Sequence, residues 1–330
     1  GELANQYGID GFMYHHYWFY DESEPIRGGP TLATPLIKML EDGHPNVPFA
    51  LNWVAIKWTN TWSGNVGPDF VFKEAGVLQK QYFPKEMNDT KINEHYNWLR
   101  QFFHHPNYIK VDGKPILMLY QRKPGAMLVL NRLKELAMQD GFPGMYYVCG
   151  LSKGHGHLLP VDEKLKNDFQ RMTSRTLNFG VYDKVVSYPN PSDWSEGHSL
   201  EVPSWCTDSS SSTIEKRLPD IAGIISSFDN TPRRNVKEAN LYSTGDPDEV
   251  VERFRKSLHA AIYYESCCFP TAPDAEIRKK KSRKDDDRFI IINAMNEWAE
   301  GMVLEPSTTY GRHFLEVIQE TKRSIQEQGC

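Results

Sequence analysis

Short apolar runs rich in β-branched and aromatic residues recur along this chain, separated by stretches of helical periodicity or by long polar loops. The runs occupy residues 9–19, 47–53, 116–120, 145–149, 182–187, 221–228 and 289–292, and each reads as a strand. Helical spacing covers residues 34–41, 93–103, 127–139, 162–177, 250–264 and 310–328. The first of these puts Leu36, Ile37 and Leu40 on one face, and the last carries Phe314, Leu315, Ile318 and Ile325 as its apolar stripe. Regular alternation of this kind implies parallel βαβ units, hence a doubly wound open sheet or a (β/α)8 barrel. No glycine-rich phosphate loop follows any strand, so the signature of a nucleotide-binding open sheet is missing. The count favours the barrel. Seven strands are legible, and residues 1–8 read as a helix end stopping at Gly8, whose preceding strand would be the eighth. The fold class expected is therefore α/β, a (β/α)8 TIM-type barrel lacking its first strand, with residues 1–330 as one N-terminally truncated domain. Such a remnant would leave an open sheet edge.

Within that frame, residues 190–212 and 273–288 read as loop insertions, the first rich in Pro, Ser and Asp, the second carrying a mixed charge run. Residues 109–120 hold a tight Asp112-Gly113 turn before a strong strand. A chain of 330 residues with net charge -5 has ample material for a core and no basic field for nucleic acid. No apolar run approaches the ~20 residues of a membrane span. Five cysteines at irregular spacing, without a CxxC pair, are expected as free thiols. The Asn88-Asp89-Thr90 triplet is a glycosylation sequon only if the chain enters a secretory pathway. No metal and no cofactor are expected, because the adjacent His15 and His16 lack a third ligand at a recognisable spacing.

The last apolar run leads directly into chemistry-bearing residues: Phe289 to Ile292 is followed by Asn293-Ala294-Met295-Asn296-Glu297-Trp298-Ala299-Glu300-Gly301. Four continuous apolar residues suggest a strand covered on both faces. In barrels of parallel strands the reacting groups sit on strand ends and the loops after them. Glu297 and Glu300 are three apart, so a helical turn here would project both to the same side, and paired carboxylates beside a cleft serve glycosidic bond chemistry. Other strand ends carry candidate sugar contacts. Tyr14, His15, Tyr17 and Trp18 close the first strand, where alternation sends His15 and Tyr17 to one side and His16 and Trp18 to the other. Trp53 and Trp58 frame the second strand end, and Tyr120 ends the third. Asp229, Asn230 and Arg233 follow the run at 221–228, while Asn296, Trp298 and Glu305 flank the carboxylate pair. Glu305 suits a loop anchor or a sugar hydrogen bond equally.

Four blocks, at residues 7–19, 108–115, 228–234 and 293–301, together resemble the WbsX-like family, which is related to the glycoside hydrolase family 99 endo-α-mannosidases. The resemblance runs in order along nearly the whole chain. It implies a (β/α)8 barrel acting on an oligosaccharide or polysaccharide, although many bacterial members carry a glycosyltransferase label. In the endo-mannosidase relatives the last block reads Asn-Glu-Trp-His-Glu-Gly. By that similarity Glu300 is the general acid, raised in pKa by burial, and later the base. Glu297, kept ionised, takes the proton of the substrate 2-hydroxyl, which attacks its own anomeric carbon with net retention. One departure stands out. Where such families read Trp-Ala-Asn-Glu-Asn-Trp-Thr, this chain has Trp53-Val54-Ala55-Ile56-Lys57-Trp58-Thr59, with Ile56 in place of the acid and Lys57 in place of the amide. That implies a changed subsite or a weakened enzyme. The leading reading is a retaining, glycoside hydrolase-like enzyme; glycosyl transfer and a non-catalytic glycan-binding barrel are the alternatives.

Overall fold

The computed structural model of the chain describes residues 1–20, 28–59, 77–120, 123, 125–151, 184–187, 221–233, 241–268 and 288–329. The helix expected at 162–177, the insertion at 190–212 and all but the last residue of 273–288 lie outside these residues. The chain divides into two compact units, one from residues within 1–5, 10–60 and 75–185, the other from residues within 6–9 and 186–330. In chain order the elements are α1 (Glu2–Tyr7), β1 (Phe12–Phe19), β2 (Gly29–Thr31), α2 (Thr34–Asp42), β3 (Phe49–Trp53), β4 (Trp58–Thr59), β5 (Val77–Gln79), α3 (Thr90–Phe103), β6 (Lys110–Val111), β7 (Lys114–Leu119), α4 (Ala126–Gln139), β8 (Tyr146–Leu151), β9 (Lys184–Ser187), β10 (Ile221–Ile225), β11 (Phe228–Asp229), β12 (Leu241–Tyr242), α5 (Pro247–Tyr263), β13 (Ile290–Asn293), β14 (Asn296–Glu297), β15 (Met302–Val303) and α6 (His313–Glu327). Each of the seven expected strands is present in part or whole.

In the first unit β1, β3, β7 and β8 are successive parallel neighbours, with Tyr14 opposite Leu51, Leu51 opposite Leu117 and Leu117 opposite Tyr147. The short β2 adds an antiparallel edge, so this sheet is mixed. All five residues of β3 are buried, as are the last five of β7, which is the burial expected of parallel strands covered on both faces. The Asp112-Gly113 turn joins β6 to β7, both residues at positive φ (49° and 75°). Helix α3 begins where Asp89 Oδ1 accepts the Lys91 N–H at 2.9 Å, and it buries Ile92, His95, Leu99, Phe102 and Phe103 on its sheet-facing stripe. Its far end is tied to the end of α4 by Asp140, which accepts from the Arg100 guanidinium, from His104 and from the Tyr96 hydroxyl. Hydrogen bonding from Arg100 holds the Asp140 carboxyl down at about 2. In α2 the expected face holds at Leu36 and at half-buried Leu40 and is corrected at Ile37. Leu36 and Met39 are buried while Ile37 turns to solvent, because the helix contacts its neighbours along an i, i+3 line.

In the second unit β9, β10 and β13 run parallel, Val186 opposite Ile221 and Ile225 opposite Asn293. Helix α5 bridges β10 and β13, and α6 packs against α5 through Phe254 and Phe314, ring centroids 5.1 Å apart, and an Arg255–Glu320 ion pair at 2.7 Å. Residues 6–9 join this unit: Gln319 and Lys322 of α6 donate to the carbonyls of Gln6 and Gly8. Strand β13 departs from expectation. Its four residues are all half-buried, and β10 is the one ladder partner it has among the described residues. A continuous apolar pattern encodes two-sided cover, and among the described residues that cover is incomplete.

Cysteine usage is also corrected. Cys149 is a buried free thiol, but Cys267 is disulfide-bonded. Sequence spacing carries no information on sulfurs that only folding brings together. No helix among the described residues is long and apolar enough to cross a membrane.

Candidate active site

After β13 the helical turn is a single one, set inside a hairpin. Asn296–Glu297 and Met302–Val303 pair antiparallel, Glu297 opposite Met302, and between them Trp298–Glu300 form one turn of 3-10 helix. Gly301 closes that turn at φ 65°, its N–H bonded to the Trp298 carbonyl at 3.3 Å. A side chain at position 301 would be strained by this left-handed backbone and would also meet Asp229 N at 3.2 Å. The Ser227 hydroxyl donates to the Gly301 carbonyl at 2.5 Å, so the end of β10 grips the turn directly. Underneath, buried Met302 and Ile225 pack with Phe228 and Ala294, and Leu304 and Glu305 donate backbone N–H groups to the Met295 carbonyl at 3.0 and 3.1 Å. The two candidate carboxylates thus share one short hairpin. Glu297 and Glu300 are both half-buried and Trp298 between them is exposed.

The other candidates of this unit lie on the hairpin itself or on the segment after β10 that packs against it. The 3-10 turn Thr231–Arg233 packs against the Trp298–Glu300 turn. It is initiated by Asp229, whose Oδ1 accepts the Thr231 N–H at 2.9 Å, the Asx-type bond that favours aspartate before a turn. Asn230 is buried, Asn296 exposed and Asp229 half-buried. The Arg233 side chain and the whole of Arg234 lie outside the described residues. Glu305 Oε2 accepts the indole N–H of Trp298 at 2.8 Å. Tyr310, half-buried, has its pKa raised first by burial and then by the Asp229 charge, with Arg253 opposing. Tyr310, Ser227 and Gly301 were not among the candidates from sequence. The Gly301 role was legible only as the glycine ending the Glu-Trp-Ala-Glu run; nothing local marks the other two.

In the first unit the alternation along β1 is observed, and it separates the candidates. His15, Tyr17, Trp58 and Tyr120 form one ring cluster. His15 meets Tyr120 at 5.9 Å and Tyr17 at 6.2 Å, and Tyr17 meets Trp58 at 5.1 Å, all edge-on. His15 keeps an exposed edge, yet protein packed around the rest of its ring lowers its pKa by desolvation. Asn52 lies opposite His15 in the ladder, its Oδ1 buried and without a hydrogen-bond partner among the described residues. Trp18 and Trp53, expected as sugar contacts, are core residues. The Trp18 ring stacks on His95 of α3 at 4.5 Å and 5°, and Trp53, fully buried, meets His95 edge-on and donates its N–H to the Trp18 carbonyl at 3.2 Å. Both rings are on the face of the sheet that α3 covers, so neither offers a surface to a ligand. Tyr14 shares that face and packs against Phe49. Ile56 is half-buried and Lys57 exposed beside Trp58. Trp62 lies outside the described residues.

Among the described residues no group of three or more His, Cys, Asp or Glu side chains is placed to hold a metal ion. With this geometry in place, comparison with known proteins gives the relationship. The chain is 25% identical, over 96% of its length, to the uncharacterized protein WxcX of Xanthomonas campestris pv. campestris strain B100, and equally to WxcX of a second strain of that pathovar. It spans 40% of the length of those curated relatives. Among solved structures, a glycoside hydrolase-like protein aligns over 97% of this chain and 83% of its own, with TM-score 0.50 and 15% identity. The GH99 endo-alpha-mannosidase from Bacteroides thetaiotaomicron aligns over 100% of this chain and 79% of its own, with TM-score 0.51 and 12% identity. At such identities these two show the fold alone, an α/β fold like that of glycoside hydrolase-like proteins. The family described as Glycosyltransferase WbsX matches residues 1–318, and the chain belongs to it.

Proposed function

We propose that the chain is a (β/α)8-type carbohydrate-active enzyme that cleaves within a glycan or polysaccharide by a retaining mechanism assisted by the substrate 2-hydroxyl. The observation that carries this reading is the Asn296–Val303 hairpin, which holds Glu297 and Glu300 on a single turn pinned by Ser227 and Gly301. In the first step the Glu297 carboxylate takes the proton from O2 of the sugar and O2 attacks C1. The C1–O bond to the leaving group breaks, and Glu300 gives its proton to the departing oxygen. In the second step the Glu300 carboxylate takes a proton from water, whose oxygen attacks C1. The C1–O2 bond opens, and Glu297 returns its proton to O2. Two inversions leave the configuration at C1 retained, and no enzyme atom bonds to the sugar, one of the known exceptions to the carboxylate-nucleophile scheme.

A second reading, glycosyl transfer, is favoured by the family's own description. One comparison tests both. Wild-type protein, Glu297→Gln and Glu300→Gln are incubated with α-mannans and other neutral polysaccharides, with and without nucleotide sugars, and the products are sized. Hydrolysis by wild type and a loss of about 10²–10⁴-fold in each variant is the expected outcome. Cleavage indifferent to both substitutions sinks the assignment, and product formed only when a nucleotide sugar is supplied replaces it with transfer.

A further inference from the structure

Trp298 is placed unlike the other tryptophans among the described residues. Trp18 and Trp53 are buried and Trp58 and Trp98 half-buried, whereas Trp298 is 54% exposed. An isolated exposed ring is ordinary. This one is fixed at its polar end, because its N–H donates to Glu305 Oε2 at 2.8 Å, and at its backbone, because its carbonyl receives the Gly301 N–H that closes the 3-10 turn. The Glu305 backbone is itself tied to Met295. A large ring is thus left in solvent with its polar end tethered to Glu305.

We propose that Trp298 and Glu305 form a sugar subsite beside the catalytic pair, in which the indole face stacks on the apolar C–H face of a neutral pyranose and Glu305 positions the ring. The proposal rests on the reading of Glu297 and Glu300 as glycan-active. Aromatic faces carry negative charge and C–H edges positive, so a pyranose face suits an indole tethered in advance. Glu305 has a second oxygen, Oε1, with no protein partner among the described residues. It can accept from a sugar hydroxyl while Oε2 holds the indole. Charge sets the selectivity. With Glu300 protonated, the segments that build this hairpin and the turn packed on it carry three ionised carboxylates, Asp229, Glu297 and Glu305, against the one cation Arg233, so their net negative charge disfavours a uronate or phosphorylated sugar relative to a neutral one.

The test measures binding in the Glu300→Gln background by calorimetry, so that failure to cleave cannot be mistaken for failure to bind. The probes are a neutral α-manno-oligosaccharide and an oligogalacturonate. Trp298→Ala is expected to weaken the neutral probe tenfold or more, with Trp298→Phe intermediate. Glu305→Ala, which frees the ring, should approach Trp298→Ala. Glu305→Gln keeps an oxygen acceptor for the indole and should stay within about threefold for the neutral probe while improving the uronate, a split that a merely structural role does not produce. Neutral-probe affinity unchanged in both Trp298→Ala and Glu305→Ala overturns the proposal. So does a uronate bound as tightly as the neutral probe by the parent, or no binding of the neutral probe at all. Binding with the expected pattern but no cleavage by the wild-type enzyme overturns the hydrolytic reading and leaves the subsite standing.

Discussion

His16 and His95 meet Nε2 to Nε2 at 2.9 Å inside a core where Trp98 stacks on the first ring and Trp18 on the second. The Tyr20 hydroxyl closes the chain at His95 Nδ1, 2.6 Å away. Both histidines are essentially without solvent exposure. Desolvation holds His16 down at about 3 and His95, further opposed by His16, well below its ordinary value. They tie β1 to α3 as neutral groups.

The pH dependence of stability follows from those directions. Unfolded, each ring titrates near 6.5; folded, both resist the proton. Below about pH 6.5 the unfolded state binds more protons, so each histidine removes about 1.4 kcal/mol of stability per pH unit as pH falls, and its contribution is complete above that pH. His95→Phe keeps a ring in place but leaves the Tyr20 hydroxyl and His16 Nε2 unpaired, a loss of about 1–3 kcal/mol at pH 7.5. Urea unfolding between pH 7.5 and 4.5 should show the variant weaker at neutrality yet shallower in slope by about 1.4 kcal/mol per unit. Parallel slopes for wild type and variant would exclude the dyad as a source of acid sensitivity.

Gly301→Ala tests the grip on the turn that carries the proposed acid. The left-handed backbone at φ 65° costs a side chain about 1–2 kcal/mol, and the added carbon presses on Asp229 N. The turn must yield, taking Glu300 with it. Melting temperature should fall by a few degrees while turnover on the responsive glycan falls by about 10²-fold, since displacement of a reacting group by about 1 Å has that effect. Equal, modest losses in both measurements would show that the turn does not position the acid.

What could be read from sequence divides along a physical line. The strands β3 and β7, and the opposite destinations of His15 and His16, follow from local period and from burial on both faces, which sequence records directly. Trp18 and Trp53 were misassigned because a tryptophan near a strand end reads alike whether a helix or a ligand covers it. Only the arrival of His95 and Trp98 from α3 distinguishes the two. The turn after β13 is helical for one 3-10 turn only, and the three-residue spacing of Glu297 and Glu300 does not tell that from the start of an α-helix. The antiparallel closure of the hairpin depends on Met302 and Val303, residues whose pattern alone does not identify a strand. Ser227 was invisible because its partner, the Gly301 carbonyl, is 74 residues away.

In the proposed mechanism the two carboxylates differ in what each asks of the leaving group. Glu300→Gln removes the proton donor, so a glycosyl fluoride, whose fluoride departs without protonation, should recover most of the first-step rate lost on a natural glycan. Glu297→Gln removes the base that generates the attacking O2, and no leaving group compensates for that. The contrast is read by stopped-flow fluoride release from the fluoride substrate of each variant. The expected separation is about 10²-fold or more. Equal rates in the two variants would mean that the roles of acid and base are not divided as proposed.

Trp53 and Trp58 stand five residues apart and should respond oppositely. Trp53 is fully buried, with edge contacts to Tyr20, Phe83 and His95. Truncation to alanine should cost about 3–5 kcal/mol of stability, and the milder Trp53→Phe should lower the melting temperature while leaving glycan affinity at the folded protein unchanged. Trp58 is half-buried and touches Tyr17 and Phe19 edge-on at 5.1 and 5.2 Å. Its truncation removes aromatic pairs worth about 0.5–1.5 kcal/mol each, a smaller stability loss, but it also removes a ring from the open cluster with His15 and Tyr120. If that cluster touches sugar, Trp58→Ala weakens glycan binding at temperatures where the protein remains folded. Thermal melts and oligosaccharide titrations on the two variants decide it: affinity lost in Trp53→Phe and kept in Trp58→Ala would reverse the assignment of both rings.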